Sequence, residues 1–303
     1  MSAALDHPGV TLRADHLIGL RDIALLRPDP PALSALPGGL VSRKRGQGQE
    51  IADVREYVSG DDIRHLDRGS TARTGVLHVR AFQEDRDRVT LLVADFRPPM
   101  LWGSRRAFRS VAAAEALALI GWRVIHEGGR VGLITLGAAQ PVAVPARGRV
   151  RGMLAVIGGL VRAHEMALFR MKTDNSPGPP LDAGIARAAR VAAKGAEIVI
   201  ASGLDDPGAD LAAELGQMAR RTSPRLIRIA DAADALPPGL YPVRLPNGTR
   251  RRLRVAGSSA PSAAEATAEY LADIPALTLD AGADPGDMAW RISAEYGPLE
   301  AQR

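Results

Sequence analysis

The sequence lacks cysteine altogether, and it has few aromatic residues and only three lysines among its 303 residues. The absence of cysteine excludes disulfide bridges, thiolate metal sites and thiol nucleophiles, and it fits a reducing compartment. The longest strongly apolar run, VAAAEALALIGW, has about 12 residues and includes Glu115, whereas a membrane-spanning helix needs roughly 20. The first residues also lack the basic-then-apolar order of a signal peptide. We therefore expect a soluble, cytoplasmic protein without membrane insertion.

Sequence motifs of common enzymes are missing as well. There is no HExxH and no GxSxG, and no dinucleotide glycine fingerprint follows a strand. The glycine-rich stretch GQGQE at 46–50 lacks the Lys-Ser/Thr that a phosphate-binding loop requires. Ser202 follows a predicted strand, but no nearby histidine would activate it, so we interpret it as a turn residue. These absences favour a protein that is not an enzyme and carries no cofactor.

The basic residues raise the question of a nucleic-acid partner, because the formal net charge is +5. They comprise 36 arginines against 3 lysines and are spread along the whole chain. The densest run, TRRRLR at 249–254, resembles an exposed strand and has no interleaved aromatic residues of the kind that stack on bases. We interpret the arginine excess as compositional bias and expect no nucleic-acid partner.

From residue 88 onward, short apolar runs alternate with helical patterns. VTLLVAD, RVGLITLG, AEIVIASG and PRLIRIAD are predicted strands, and the stretches between them have helical periodicity. This alternation predicts an α/β fold with a mostly parallel sheet and helices on both faces. We divide the chain into an N-terminal segment with some β structure (1–87), the α/β domain (88–236) and a C-terminal part (237–303). That last part is predicted to hold a β-pair turning at Asn247-Gly248 and two helices, packed on the same domain.

The polar segment 50–73, EIADVREYVSGDDIRHLDRGSTAR, has the densest set of charged residues. One interpretation is a turn-rich surface in which arginines pair with acids. Another makes Asp61, Asp62, His65 and Asp67 an ion site. The four arginines interspersed among the six acidic residues of the segment argue against a free cation cage.

This segment also carries a family resemblance. Its glycine-rich start is followed by the pattern R-x-Y-x-x-G-D-D-x-R-x-x-D, then Ala-Arg, a short strand and an acidic end. The matching residues are Arg55, Tyr57, Gly60, Asp61, Asp62, Arg64, Asp67, Ala72, Arg73 and Glu84. The pattern resembles the bacterial domain-of-unknown-function family 58, although Arg68 stands where a tryptophan is usual. The run from Arg88 is similar to the von Willebrand factor A domain that follows in this family. Together the resemblance covers roughly residues 40–230 and implies a partner of MoxR-type AAA ATPases in a chaperone-like or metalloenzyme-maturation system.

The resemblance further implies a metal site built from D-x-S-x-S after the first strand, a later Thr, and an Asp after a central strand. Asp95 keeps the first position, whereas the others read Arg97, Pro99, Pro180 and Gly203. A guanidinium near a cation costs about 4 kcal/mol at 4 Å and an effective dielectric near 20. We therefore predict a degenerate site without Mg²⁺, in which Arg97 pairs with Asp95, Asp205 or Asp206.

Two hypotheses follow for the function. The first is a non-enzymatic adaptor that binds a MoxR-type ATPase or its client protein. Its candidate contact residues are Asp95, Arg97, Trp102, Asp205, Arg55, Tyr57, Asp61, Asp62, Arg64 and Asp67. The alternative is a ligand-binding domain with a working, unorthodox Mg²⁺ site made by Asp95, Asp205 and Asp206. For Trp102 and Met100, burial beneath the next helix is as consistent with the sequence as exposure for binding.

Overall fold

The computed structural model describes residues 7–26, 51–58, 66–82, 88–137, 140–173, 178–232, 238–244, 249–255, 269–271 and 273–295. The helices are α1 (Ala14–Leu25), α2 (Arg68–Thr74), α3 (Arg109–His126), α4 (Arg149–Thr173), α5 (Leu181–Val191), α6 (Leu211–Ala219) and α7 (Pro285–Glu295). The strands are β1 (Ile51–Glu56), β2 (His78–Phe82), β3 (Val89–Asp95), β4 (Arg130–Leu136), β5 (Ala143–Gly148), β6 (Glu197–Ser202), β7 (Ser223–Ala230), β8 (Gly239–Arg244), β9 (Arg250–Val255), β10 (Glu269–Leu271) and β11 (Ile274–Asp280). The chain forms two compact units: an α/β unit, Met1–Asp29 with Arg88–Leu299, and a small unit, Pro30–Asp87 with Glu300–Arg303.

The α/β unit contains a seven-stranded sheet in the order β10-β11-β7-β6-β3-β4-β5. The five inner strands are parallel, and the edge strands β5 and β10 run antiparallel to their neighbours. This confirms the predicted α/β fold with a mostly parallel sheet. The chain builds outward from β3 through β4 to β5 and then returns to β6 on the other side of β3. The strand order therefore reverses between β3 and β6, which makes this pair the topological switch point of the sheet.

Helices cover both faces of the sheet, and this explains why the sequences of its central strands are apolar almost throughout. One face packs against α3, α4 and α7, with α1 packed on these three helices, and the other face packs against α5 and α6. In β3, Leu92 lies in the first core and Val93 in the second. A strand buried on both faces reads as a continuous apolar run, and the predictions at β3 and β6 rested on such runs.

Helix α4 lies over the β4–β5 side of the sheet. Among the described residues it is the one helix long and apolar enough, by length and composition, to cross a membrane. Half of its apolar window is buried, and Met153, Val156 and Leu160 pack into the core. In this structure α4 therefore contributes one of its faces to the hydrophobic core.

The N-terminal helix α1 belongs to the α/β unit, which differs from the predicted boundary at residue 87. Leu17 and Leu20 are buried in the main core, and the Leu17 carbonyl accepts a hydrogen bond of 3.0 Å from Trp122 Nε1. His16 Nε2 lies 2.7 Å from the buried Glu115 carboxylate on α3. The physical reason is that the apolar face of α1 needs α3 for its burial, although the end of α1 at Leu25 and the start of α3 at Arg109 are 84 positions apart in sequence.

The small unit contains the antiparallel pair β1–β2 and helix α2. Strand β2 was predicted, whereas β1 and α2 were not, because polar residues dominate both segments. Helix α2 begins after Asp67, whose side chain accepts a hydrogen bond of 2.8 Å from the Ser70 N–H. This is a helix N-cap, a role that aspartate commonly fills.

The C-terminal part differs from its prediction in one respect. Strands β8 and β9 form the expected antiparallel pair, while the predicted turn at Asn247-Gly248 lies outside the described residues. Instead of two helices, the described residues that follow form β10, β11 and α7. Ile274, Leu277 and Leu279 of β11 are buried, and the strand pairs in parallel with β7. A short apolar run does not distinguish a strand from a buried helix by periodicity alone.

Candidate functional site

The switch point brings two polar side chains together at the carboxyl ends of neighbouring strands. Asp95 is the last residue of β3 and Ser202 the last residue of β6, and both are fully buried. The Ser202 hydroxyl donates a hydrogen bond of 2.6 Å to Asp95 Oδ2. In open α/β sheets the crevice at this place is the usual ligand-binding position. Asp95 and Ser202 therefore form the centre of the candidate site.

A guanidinium fills the space next to Asp95. Arg97 Nε lies 3.0 Å from Asp95 Oδ1 and Arg97 Nη2 lies 2.9 Å from Oδ2, which forms a bidentate ion pair. The Arg97 backbone N–H also donates to Oδ1, at 3.0 Å. Arg97 is 1% exposed and Asp95 is 0% exposed. Each carboxylate oxygen of Asp95 thus accepts two hydrogen bonds from the chain itself.

The remaining N–H groups of Arg97 bind backbone carbonyls. Nη2 donates to Asp205 O at 2.8 Å, and Nη1 donates to Asp206 O at 3.2 Å and to Pro179 O at 3.4 Å. All five guanidinium donors therefore have acceptors. Full pairing offsets the cost of burying the charge, and it ties the β3 loop to the β6 loop and to the start of α5.

A second guanidinium, that of Arg109, lies so close to Gly203 after β6 that it leaves no room for a side chain there. Arg109, the first residue of α3, is buried, and its Nη2 lies 2.8 Å from Asp205 Oδ2 while its Nε donates to Ile229 O at 3.0 Å. A Cβ on Gly203 would overlap Arg109 Nη2. Gly203 is therefore required by the close approach of Arg109, at the position where the family resemblance implies an aspartate.

The loop after β6 is held in an unusual backbone conformation. Leu204 has φ 63° and Asp206 has φ 44°, both in the left-handed region that costs non-glycine residues about 1–2 kcal/mol each. Ser202 Oγ accepts the Leu204 N–H at 3.0 Å, and the Asp206 carbonyl accepts the Leu181 N–H at 2.9 Å. With Arg97, these contacts fix the loop and the direction in which Asp205 points.

Trp102 marks the solvent side of the site. Its side chain is 36% exposed, and the Arg109 guanidinium carbon lies 5.6 Å from the centre of its ring, within cation–π range. Asp205 is 38% exposed on the other side of Arg109. Met100 is fully buried, and its Sδ accepts the Gly203 N–H at 3.0 Å. The sequence left open whether Met100 and Trp102 are buried or exposed. In the structure Met100 is buried, whereas Trp102 is partly exposed to solvent.

Asp231, at the end of β7, is a buried site residue that was not predicted. Its carboxylate accepts hydrogen bonds from the Ser104 hydroxyl and from the Ser104 N–H. These bonds hold the loop between β3 and α3, which carries Trp102. The sequence signal was present, because Asp231 follows the apolar run of β7 as Asp95 ends that of β3.

A buried histidine lies behind the β3 loop. His164 of α4 is fully buried, its Nε2 lies 2.9 Å from Ser110 Oγ, and its ring packs edge-on against Phe96. Burial lowers the pKa of His164 to about 4, so the ring is neutral near pH 7. Neither Ser110 nor His164 reaches solvent, and the pair therefore serves packing.

None of the other predicted site residues that the structure describes bonds to the Asp95 carboxylate. Pro99 is in the short 3-10 turn Pro98–Met100, and Pro180 precedes α5. Arg55, Tyr57 and Asp67 are in the small unit, whereas Asp61, Asp62, Arg64 and His65 lie outside the described residues. The carboxylate of Asp205 pairs with Arg109, and Asp206 is exposed. Within the described ranges, no group of three or more His, Cys, Asp or Glu residues could hold a metal ion.

The fold and site define a doubly wound α/β domain with a buried ion pair at its switch point. A family model described as protein of unknown function DUF58 matches residues 53–260, more than half of the chain. The protein therefore belongs to this family, as its sequence pattern predicted. It is 35% identical over 102 residues to the uncharacterized proteins Rv1480 of Mycobacterium tuberculosis and Mb1516 of Mycobacterium bovis. The match spans 34% of this chain and 32% of each relative, about a third of their length.

Among solved structures, the chain is similar to the SpRpn10 VWA domain. The similarity has a TM-score of 0.33 and 12% sequence identity, and it covers 66% of this chain and 93% of that domain.

Proposed function

We propose that this protein is a non-enzymatic adaptor that binds a partner protein through the switch-point surface, defined as Trp102, Arg109 and Asp205. The main observation in support is that Trp102 is partly exposed and that the buried Arg109 guanidinium stacks against its ring. Tryptophan and arginine are enriched among residues that dominate binding energy at protein interfaces. The tightly bonded loops beneath give this surface a fixed shape, which lowers the entropic cost of binding.

The proposal includes a degenerate metal site in which Arg97 takes the place of a cation. Two observations support it. Both oxygens of Asp95 already accept two hydrogen bonds, and the guanidinium lies where a cation bound to Asp95 would carry its charge. The alternative of an unorthodox Mg²⁺ site gains no support from Asp205, whose carboxylate is engaged by Arg109.

The proposed partner is a MoxR-type AAA ATPase or that ATPase's client, in a chaperone-like or metalloenzyme-maturation system of the cytoplasm. Family membership supports this choice. The one hydroxyl that bonds to the Asp95 carboxylate, Ser202, is fully buried and therefore inaccessible to a substrate, which agrees with a binding role.

The test is affinity capture from native lysate in the presence of Mg-ATP, with mass spectrometry of the retained proteins. Trp102→Ala is the test variant, and Trp290→Ala is its matched control, because Trp290 is 60% exposed on α7. We expect the wild type and Trp290→Ala to retain an AAA ATPase, and Trp102→Ala to retain about tenfold less. Equal retention by Trp102→Ala would exclude the switch-point surface, and no retained ATPase in any sample would exclude the proposed partner class.

A further inference from the structure

The antiparallel pair β8–β9 carries a row of arginines on β9. Arg250, Arg252 and Arg254 share one face of β9, since side chains alternate along a strand, and Arg251 lies on the other face. All four are exposed. Within the described part of the chain none of them forms an ion pair, in contrast to Arg97 and Arg109. Their charge is therefore available to a binding partner.

The two edges of this strand pair differ. Pro242 of β8 pairs with Arg252 of β9. Proline has no N–H, so we expect this pair to be a non-hydrogen-bonded one, with the N–H and C=O of Arg252 directed away from β8. Because hydrogen-bonded and non-hydrogen-bonded pairs alternate along an antiparallel pair of strands, we expect the N–H and C=O groups of Arg250 and Arg254 to be directed away from β8 as well. The outer edge of β8 is thus interrupted by proline, whereas that of β9 offers an unbroken row of donors and acceptors.

We propose that the outer edge of β9, which pairs with no further strand among the described residues, binds an extended acidic segment of a partner protein as a third strand, with Glu or Asp at alternate positions. Alternate residues on a strand are about 6.6–6.8 Å apart. Carboxylates at every second residue of an added strand would therefore lie beside Arg250, Arg252 and Arg254 in turn. Backbone hydrogen bonds would supply affinity, and the charge row would supply specificity.

A peptide fits this edge better than a nucleic acid does. The ladder of N–H and C=O groups requires a partner with its own backbone donors and acceptors. On the arginine face, the residues paired across from Arg252 and Arg254 are Pro242 and the 63% exposed Leu240, so no aromatic ring stands there for bases to stack on. This inference involves none of the residues of the switch-point surface, and it holds whether or not the latter binds an ATPase.

The experiment uses the full chain and fluorescence anisotropy of labelled synthetic peptides. The probe is an alternating Glu-Val peptide, and the controls are a block peptide of the same composition and an alternating Lys-Val peptide. We expect the alternating acidic peptide to bind, the block peptide to bind at least about fivefold more weakly because its charges miss the register, and the basic peptide not to bind. Equal affinity for the two acidic peptides would overturn the strand-addition geometry.

Substitutions can distinguish the contribution of the arginine row to peptide binding from that of the net charge of the protein. The triple change Arg250→Gln, Arg252→Gln, Arg254→Gln is expected to weaken binding by about tenfold or more. A matched triple change of the exposed Arg187, Arg190 and Arg220 to Gln removes the same charge elsewhere and is expected to have little effect. Arg251→Gln is likewise expected to be mild. Equal losses in both triple variants, or tighter binding of a single-stranded DNA oligonucleotide than of the acidic peptide, would overturn the proposal.

Discussion

Arg97 and Asp95 form a bidentate ion pair that is closed to solvent, and the Arg97 guanidinium also donates hydrogen bonds to the Asp205 and Asp206 carbonyls in the loop after β6. Removing one partner of a buried pair leaves an uncompensated charge, which typically costs about 3–5 kcal/mol. We predict that Arg97→Ala lowers the free energy of unfolding by this amount, measured by urea denaturation. Arg97→Lys should recover little, because lysine does not provide the planar fork of donors. The exposed Arg187 gives the control: Arg187→Ala should change stability by less than about 0.5 kcal/mol, and a similarly small effect of Arg97→Ala would contradict the assigned role.

Metal removal is predicted to leave the protein unchanged. If Arg97 takes the place of a cation, as proposed, excess EDTA or added Mg²⁺ should not shift the melting temperature, and calorimetric titration with Mg²⁺ should show no binding heat. Asp95→Ala removes the acceptor of the pair and should destabilise the chain equally with and without Mg²⁺. A melting temperature that rises with Mg²⁺ in the wild type, and not in Asp95→Ala, would favour the alternative metal site.

Gly203 is predicted to tolerate no side chain. In Gly203→Ala the new methyl group would meet the Arg109 guanidinium, so Arg109 must leave Asp205 or the β6 loop must shift. We expect a loss of about 1–3 kcal/mol of stability, as for other overpacked sites. Gly216 in α6 has nothing near its added Cβ, and Gly216→Ala should stabilise the helix by roughly 0.5–1 kcal/mol. Opposite signs for the two variants in denaturation experiments would support the assignment; equal effects would refute it.

Stability is predicted to fall in mild acid because of His164. Its pKa in the folded protein is about 4, against 6.5 for an unperturbed histidine, so the unfolded chain binds the proton first. The stability contributed by the neutral ring is therefore lost as the pH falls from 6.5 towards 4, by about 3 kcal/mol in total. His164→Gln should reduce the pH dependence in this window relative to the wild type, whereas the exposed His126→Gln should not. Parallel pH profiles for the wild type and His164→Gln would contradict this explanation.

The parts of the site that could be predicted from the sequence are those formed by near neighbours. Asp95 and Arg97 are two residues apart, and their pairing was one of the three alternatives that the sequence left open for Arg97. The Arg109–Asp205 and Ser104–Asp231 contacts join residues 96 and 127 positions apart, and they exist because the sheet order brings β3, β6 and β7 side by side. Strands β3 and β6 were predicted because burial on both faces makes them apolar throughout. Strand β11 was missed because its pattern alone did not exclude a helix.

The placement of α1 has a consequence for how the protein is made. The α/β unit uses the chain up to Asp29 and again from Arg88, so the small unit is an insertion within it. During synthesis α1 leaves the ribosome well before α3, and Leu17 and Leu20 then lack the surface that buries them. Helix α1 therefore gains the surface that buries its apolar face only after α3 has been made. Translation that stalls before α3 would leave this apolar face to chaperones, which recognise such surfaces.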